Sequence, residues 1–275
     1  MRIRICVFLF SLIVAAGCER PAEPKKGGLD PANVGENSEL KTGVAPAPMP
    51  PRTIRFASEG NVEIVGTFYE PKKEKSPALL LLHQWQSDRS SYDALAKKLQ
   101  EGGFGVLAID GRGFGESLKT TDGKSIAPER TDAAVAAMKK DVENAFLLLA
   151  DQNNVDASRI AIIGASYGSS LAIIYAASEP KVKAVALLSP GTNYFGNMPT
   201  EPAVKSYGDR PLLLVAAEDD SDSTEAVKIL KESAGIKSEA KIYPKGGHGT
   251  NIFDAKLGLE QLLEDFLNKS LKKAE

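Results

Sequence analysis

A serine stands between two glycines in the segment Gly164-Ala165-Ser166-Tyr167-Gly168. A mainly apolar run, residues 159–163, precedes it, and helix-forming residues 169–177 follow it. Ser166 is therefore predicted to lie on a tight turn from a buried strand into a helix, where its hydroxyl is exposed at the sheet edge. The amides at the start of that helix favour negative charge nearby, which suits nucleophilic catalysis. The alternative is a glycine-rich helix start that merely packs closely.

A serine nucleophile needs a base, and the chain contains two histidines. His248 follows the last predicted strand, residues 241–243, and glycines on both sides leave its imidazole free to reach the sheet edge. His83 ends an earlier apolar strand, a position typical of a structural, hydrogen-bonding histidine. We therefore predict that His248 accepts the proton of Ser166.

The third member of such a triad is a carboxylate that orients the histidine. Acidic residues in the segment 218–222 follow a buried apolar run and lie between Ser166 and His248 in the chain. Along the chain, nucleophile, acid and histidine then occur in the order expected for a serine on a strand-to-helix turn of such a sheet. An acidic loop is often only a solvated surface, and the pattern itself leaves Asp219 and Asp220 both open.

Short apolar runs alternate with helical patterns around these residues. A polar–apolar alternation at 62–69 predicts an antiparallel strand. Buried strands are predicted at 78–82, 105–109, 159–163, 182–188 and 211–217, and a last strand at 241–243. Amphipathic patterns at 132–150 and near 259–266 predict helices. This alternation predicts an α/β fold with a mostly parallel sheet and helices on both faces.

Composition excludes several classes of protein. The 275 residues carry 34 Lys and Arg against 36 Asp and Glu, a net charge of −2, so no basic field attracts nucleic acid. Apolar residues make up 43%, as in ordinary globular proteins. Two cysteines and two histidines are too few for a structural metal site, and no metal or organic cofactor is implied.

The first 52 residues differ from the rest of the chain. Arg2 and Arg4 precede a short apolar stretch that ends in Ala15-Ala16-Gly17-Cys18, which looks like a bacterial lipoprotein signal peptide over residues 1–17. Cys18 would then carry the lipid and bind the protein to a membrane. Residues 18–52 hold seven of the 16 prolines and predict a flexible tether. Residues 53–275 form the predicted catalytic domain. A plain secretory signal is the alternative.

The domain resembles the α/β-hydrolase superfamily, and within it the dienelactone-hydrolase-like and prolyl-oligopeptidase-like serine esterases. The similarity runs from residue 53 onwards. It rests on the Ser166 turn, on Leu-His-Gln-Trp at 82–85 and on Asp-Gly-Arg-Gly-Phe-Gly-Glu-Ser at 110–117. It implies an α/β-hydrolase fold with a minimal lid and a Ser-Asp-His triad.

The resemblance also implies roles for individual residues. In the family the acid comes three residues after the small residue that closes its strand, and counting from Ala217 gives Asp220 in preference to Asp219. The oxyanion hole would consist of the backbone N–H groups of Tyr167 and Trp85. Gln84 replaces a glycine of the family, so its N–H is the alternative to that of Trp85.

The region between Ser189 and Arg210, where larger relatives insert a lid, is only about twenty residues long and predicts an open cleft. Candidate pocket residues are His83, Gln84, Tyr194 and Phe195, with Met198 beside them; a hydrophobic plug against the sheet is the alternative for the 194–198 group.

We therefore expect a serine carboxylesterase of the bacterial cell envelope that acts on small esters through an acyl-enzyme. Under a Gram-negative cell plan, the residue after Cys18 favours the outer membrane. A serine peptidase of the prolyl-oligopeptidase type and a non-catalytic binding lipoprotein are the alternatives. The oligomeric state is not predicted.

Overall fold

The computed structural model describes residues 49–272. The predicted signal peptide, Cys18 and nearly all of the predicted tether lie outside these residues, so those predictions stand as made. None of the helices within residues 49–272 is long and apolar enough to cross a membrane.

One eight-stranded sheet dominates the structure, in the spatial order β1-β2-β4-β3-β5-β6-β9-β10. Its strands are β1 (Arg52–Ser58), β2 (Val62–Tyr69), β3 (Ser76–Leu82), β4 (Gly105–Ile109), β5 (Val155–Ala165), β6 (Val182–Leu188), β9 (Leu212–Ala217) and β10 (Ser238–Tyr243). A separate two-stranded ribbon pairs β7 (Asn193–Tyr194) with β8 (Met198–Pro199). Within the eight-stranded sheet, the pairs β1–β2 and β2–β4 are antiparallel and the other five pairs are parallel. The mostly parallel sheet confirms the predicted fold class.

In the described part of the chain, six α-helices cover the sheet: α1 (Asp93–Glu101), α2 (Asp132–Ala150), α3 (Tyr167–Ser178), α4 (Thr200–Tyr207), α5 (Ser221–Ser233) and α6 (Leu259–Leu271). Apolar residues of α2, α3, α4 and α5 pack on one face of the sheet, and those of α1 and α6 on the other. Three 3₁₀ helices lie in the connections, at Glu59–Asn61, Arg89–Tyr92 and Gly249–Ala255.

The central strand β3 explains why residues 78–82 read as an unbroken hydrophobic run. All seven residues of β3 are buried. Leu80 and Leu82 enter the core on the α2–α3 side, while Leu79 and Leu81 enter the core on the α1–α6 side. A strand covered on both faces favours apolar residues at every central position. Its carboxyl end is thereby held rigidly where the next residues, 83–85, begin.

The turn after β4 is a structural support. Asp110 is fully buried and pairs with Arg89, and its carboxylate accepts the backbone N–H groups of Arg89 at 2.8 Å and Glu116 at 2.7 Å. Gly115 has a φ of 53°, and a Cβ there would overlap the Asp110 carboxylate. Arg112 makes two bonds of 2.7 Å to the buried carboxylate of Asp141 on α2. The 110–117 motif thus fixes the end of β4 against α2 and the loop after β3.

Candidate active site

Ser166 occupies the sharp turn between β5 and α3. Its φ and ψ of 54° and −124° lie outside the ordinary regions for an L-residue. Close packing requires the two glycines, because a Cβ on Gly164 would overlap the Gly168 carbonyl and one on Gly168 would lie 2.6 Å from the carbonyl oxygen of His83. The turn is pinned by a 2.8 Å bond from the Ser166 N–H to the Leu188 carbonyl on β6. The hydroxyl is thereby presented at the carboxyl edge of the sheet.

Three side chains from different strand ends meet there in one hydrogen-bonded chain. Nε2 of His248 lies 2.7 Å from Oγ of Ser166, and Nδ1 of the same ring lies 2.7 Å from Oδ2 of Asp220. Because the Asp220 carboxylate can only accept, Nδ1 carries the proton and Nε2 is free to accept from the serine. Ser166 is 4% exposed, whereas the His248 side chain is 41% exposed and faces the solvent side of the site.

Asp219, the alternative carboxylate, points elsewhere. Its two oxygens accept the N–H groups of Gly246 at 3.1 Å and Gly247 at 2.9 Å. These bonds to backbone amides hold the pKa of the Asp219 carboxyl below its usual value. Asp219 therefore shapes the loop that precedes His248, while Asp220 contacts the imidazole itself.

The expected oxyanion-hole amides belong to residues that contact each other beside Ser166, since the ring centroids of Trp85 and Tyr167 are 5.4 Å apart. Tyr167 is the first residue of α3, and Trp85 follows the end of β3 by three residues. Within residues 49–272, the backbone N–H groups of Tyr167, Trp85 and Gln84 make no hydrogen bonds. All three therefore remain candidate donors to an incoming oxygen, with Gln84 the alternative to Trp85.

His83 does not line the cleft, contrary to the prediction from sequence. It is 1% exposed, its Nε2 accepts the Gly111 N–H at 2.8 Å, and its Nδ1–H donates to the Gln84 carbonyl at 2.7 Å. Burial lowers the pKa of His83, although the carboxylates of Asp110 and Asp88 partly oppose this. Both ring nitrogens are used internally, so His83 is a neutral support beneath the site.

Comparison with known proteins agrees with this architecture. The sequence model of a family described as alpha/beta hydrolase fold matches residues 77–210. The chain has the α/β-hydrolase fold. Cutinase est2 of Thermobifida alba is 29% identical over 140 residues, which are 50% of this chain and 42% of that cutinase. The matched stretch thus spans less than half of that relative.

Two solved structures have similar backbones. The dienelactone hydrolase of Anabaena variabilis has a TM-score of 0.62 at 20% identity, covering 81% of this chain and 99% of its own. The acylaminoacyl peptidase of Pyrococcus horikoshii has a TM-score of 0.66 at 18% identity, covering 83% of this chain and 43% of its own. Similarity at these identities establishes the fold alone.

Of the predicted pocket residues, Tyr194 and Phe195 lie beside the catalytic-site candidates, and Met198 does not. Tyr194 lines an open groove of about 470 Å³ that also touches His248 and Asp220. Phe195 is partly buried, with its ring centroid 4.8 Å from that of Trp85. Met198 is fully buried in the core on the α2–α3 side, so the plug interpretation applies to Met198.

Gln84 also differs from its predicted role as a pocket residue. Its side-chain oxygen is occupied by two hydrogen bonds from Thr250, one from the backbone N–H at 2.6 Å and one from the hydroxyl at 2.9 Å. The side-chain oxygen therefore contacts the segment that carries His248 rather than an open pocket.

Sequence reasoning missed two further residues of the site. Ser189 directly follows β6 and is fully buried; its Oγ accepts the Gly249 N–H at 2.8 Å. Its position after a buried strand, at the same sheet edge as Ser166, was the available signal. Arg130 is exposed and places its guanidinium 4.7 Å from the ring centre of Trp85 and 4.9 Å from that of Phe195. No sequence pattern marks this cation–π contact.

Proposed function

We propose that this chain is a serine hydrolase that cleaves carboxylic esters through an acyl-enzyme intermediate. The observation that carries the proposal is the hydrogen-bonded chain from Ser166 through His248 to Asp220. It supports this chemistry because the nucleophile sits on a strained turn, its base is oriented by a carboxylate, and unpaired amides lie beside it.

In the first step, Oγ of Ser166 attacks the ester carbonyl while Nε2 of His248 takes the hydroxyl proton. The Asp220 carboxylate keeps the proton on Nδ1 and stabilises the imidazolium that forms. The negative charge on the carbonyl oxygen is met by the N–H of Tyr167 and by that of Trp85 or Gln84.

In the following steps, the imidazolium gives its proton to the leaving alcohol oxygen, and the acyl group remains on Ser166. Water then enters, His248 accepts its proton, and the new hydroxide attacks the acyl carbonyl. The carboxylic acid leaves and Ser166 regains its proton. The exposed side of the His248 ring provides the route by which water reaches the acyl-enzyme.

Small or soluble esters fit the cleft best. The groove beside His248 is open, and the segment between β6 and β9 adds only the short ribbon β7–β8 and the eight-residue helix α4 above the sheet edge. The aromatic rings of Trp85 and Phe195 offer an apolar surface for an acyl or alcohol group. The similarity to a cutinase supports esters over amides as the substrate class.

We place this activity at the bacterial cell envelope, with a lipid on Cys18 holding the domain to a membrane. The segment Ala15-Ala16-Gly17-Cys18, which ends the predicted signal peptide, and the proline-rich residues that follow it support this location. The basis is sequence alone, because these residues lie outside the described part of the chain.

The test combines a covalent probe with a substrate panel. The full chain should react stoichiometrically with a fluorophosphonate at Ser166 and hydrolyse p-nitrophenyl acetate and butyrate faster than aminoacyl p-nitroanilides. Ser166→Ala should abolish both reactions. Ser170→Ala is the matched control, because Ser170 lies on α3 one turn beyond Ser166, is also buried, and its hydroxyl bonds to Thr200.

Three results separate the alternatives. Labelling at Ser166 with amides cleaved faster than esters would replace the esterase with a peptidase. Labelling at a different serine would overturn the assigned site. A chain that reacts with neither probe nor substrate would favour the binding lipoprotein.

A further inference from the structure

The segment that carries His248 has little regular structure of its own. It runs from the end of β10 at Tyr243 to the 3₁₀ helix that begins at Gly249. Gly246, Gly247 and Gly249 all have positive φ, at 151°, 67° and 64°. Such a glycine-rich segment has many accessible conformations and loses much entropy when it is fixed. The position of the imidazole therefore depends on bonds from neighbouring elements.

Gln84 supplies two of these bonds from the far side of the site. Its Oε1 accepts both the N–H and the hydroxyl of Thr250, which lies 166 residues further along the chain. The approach is tight, since a Cβ on Gly249 would overlap this same oxygen. The contact therefore needs the glutamine oxygen at 84, the absence of a side chain at 249 and the hydroxyl at 250.

Gln84 differs from the other groups that hold this segment. Ser189 and Asp219 bind the amides of Gly246, Gly247 and Gly249, and they come from β6 and β9. Gln84 instead lies next to Trp85, whose ring centroid is 5.4 Å from that of Tyr167 in the serine turn, in the loop that follows β3. Its side chain thus joins the loop expected to stabilise the oxyanion to the segment that carries the base.

We infer that Gln84 is a positioning residue that fixes the His248 segment relative to the loop after β3. The inference rests on the proposed function. Nε2 of His248 must stay within hydrogen-bond distance of Ser166 while the substrate oxygen sits on the neighbouring amides. Losing the Thr250 bonds frees one side of that arrangement, and a displacement of about 1 Å costs on the order of 10²-fold in rate.

The central experiment is Gln84→Met, which keeps the side-chain length and removes the acceptor. We expect kcat for a short p-nitrophenyl ester to fall about 10- to 100-fold with KM changed by less than about 3-fold. Gln84→Glu keeps an oxygen for both Thr250 donors and should restore kcat to within about 3-fold of the parent.

The matched control is Gln100→Met. Gln100 is a buried glutamine on α1 that also makes two bonds, from Nε2 to the carbonyls of Met49 and Glu70. Gln100→Met should lower the free energy of unfolding and leave kcat unchanged. Thr250→Val, which removes one of the two bonds, should give a smaller fall in kcat, and Thr250→Ser should not.

A second readout does not depend on turnover. The Nδ1 proton of His248, bonded to Asp220, should give a low-field proton NMR signal, assigned by its loss in Asp220→Asn. We expect the signal to broaden or vanish in Gln84→Met and to persist in Gln84→Glu and Gln100→Met. If the parent hydrolyses no ester, the proposed function fails, while this signal still decides the role of Gln84.

Unchanged kcat or an unchanged signal in Gln84→Met overturns the inference. An equal fall of kcat in Gln100→Met also overturns it, because the effect would then be one of general stability. If Gln84→Met fails to fold, as judged by circular dichroism, the pair Thr250→Val and Thr250→Ser decides by the same two readouts.

Discussion

Oδ2 of Asp220 lies 2.7 Å from Nδ1 of His248, while the neighbouring Asp219 bonds only to backbone amides of the loop before that histidine. Two adjacent carboxylates at the end of β9 thus have separate tasks. One orients the ring, and the other orients the chain that carries the ring.

This division predicts different effects for two isosteric substitutions. Asp220→Asn should lower kcat by about 10⁴-fold, because an amide that donates to Nδ1 favours the wrong histidine tautomer. Asp219→Asn retains one acceptor oxygen and should lower kcat far less. Steady-state kinetics on a short ester, with thermal melts to check folding, measure both. A reversed order would move the triad acid to Asp219.

Ser166 and His248 should behave as one unit. Ser166→Ala and His248→Ala should each reduce kcat by up to about 10⁶-fold, and the double variant should be little worse than either, since neither group works without the other. A double-mutant cycle on kcat tests this. If the fall in kcat of the double variant equals the product of the two single falls, the two side chains act independently.

The cleft prediction concerns Phe195, whose ring packs against Trp85 at the mouth of the site. Phe195→Ala should raise KM for a phenylacetate or phenylbutyrate ester more than KM for an acetate ester, because it removes apolar surface from the larger group. Phe253→Ala is the control, since Phe253 packs on Tyr92 on the other side of the sheet. An equal rise for both esters would exclude Phe195 from substrate contact.

The stability of the domain should depend on His83 as pH falls. Burial lowers the pKa of His83 below its usual 6.5, so the unfolded chain binds a proton more readily than the folded one. The contribution of neutral His83 to the free energy of unfolding should therefore be fully present above about pH 6.5. Below that pH the free energy of unfolding should decrease, by at most about 1.4 kcal/mol per pH unit from this group. His83→Asn should flatten the decline between pH 7 and pH 5 in urea titrations. An identical slope in parent and variant contradicts this assignment.

Membrane attachment depends on Cys18. Cys18→Ser should move the protein from the membrane fraction to the soluble fraction, because each buried methylene of an attached acyl chain adds about 0.8 kcal/mol of membrane affinity. Fractionation with labelled palmitate measures the change. A parent protein that takes up no palmitate and fractionates like the variant would end the lipoprotein proposal.

Much of the fold was predictable because buried parallel strands have a simple sequence pattern. The helix predicted at 132–150 matches α2, and the short strand predicted at 105–109 matches β4. Strands β5 and β10 are longer than predicted. β10 also includes Glu239 and Ala240, which are exposed and still pair with β9, and β5 begins with three residues, 156–158, that are not buried after Val155. Hydrophobicity alone does not mark residues of that kind.

The candidate site was predictable where a residue follows directly from its strand. Ser166, Asp220 and His248 all follow the carboxyl ends of strands, and that rule selected Ser166, His248 and the acidic segment 218–222. The choice of Asp220 over Asp219 came from the family resemblance. The side-chain directions of His83 and Gln84 were not predictable. They depend on Gly111 and Thr250, partners that come from other strand ends and are distant in sequence. Only the packed sheet brings these groups together.

The order of strands in the sheet also sets when this chain acquires its chemistry. Ser166 leaves β5 near the middle of the sheet, whereas His248 leaves β10, the edge strand that pairs only with β9. Ser166 and His248 are 82 residues apart in the chain. During synthesis, Ser166 therefore has no base until residue 248 has left the ribosome. During refolding, recovery of hydrolysis should accordingly trail recovery of secondary structure, because long-range pairing is slow. The time course of regained hydrolysis would then report when β10 pairs with β9.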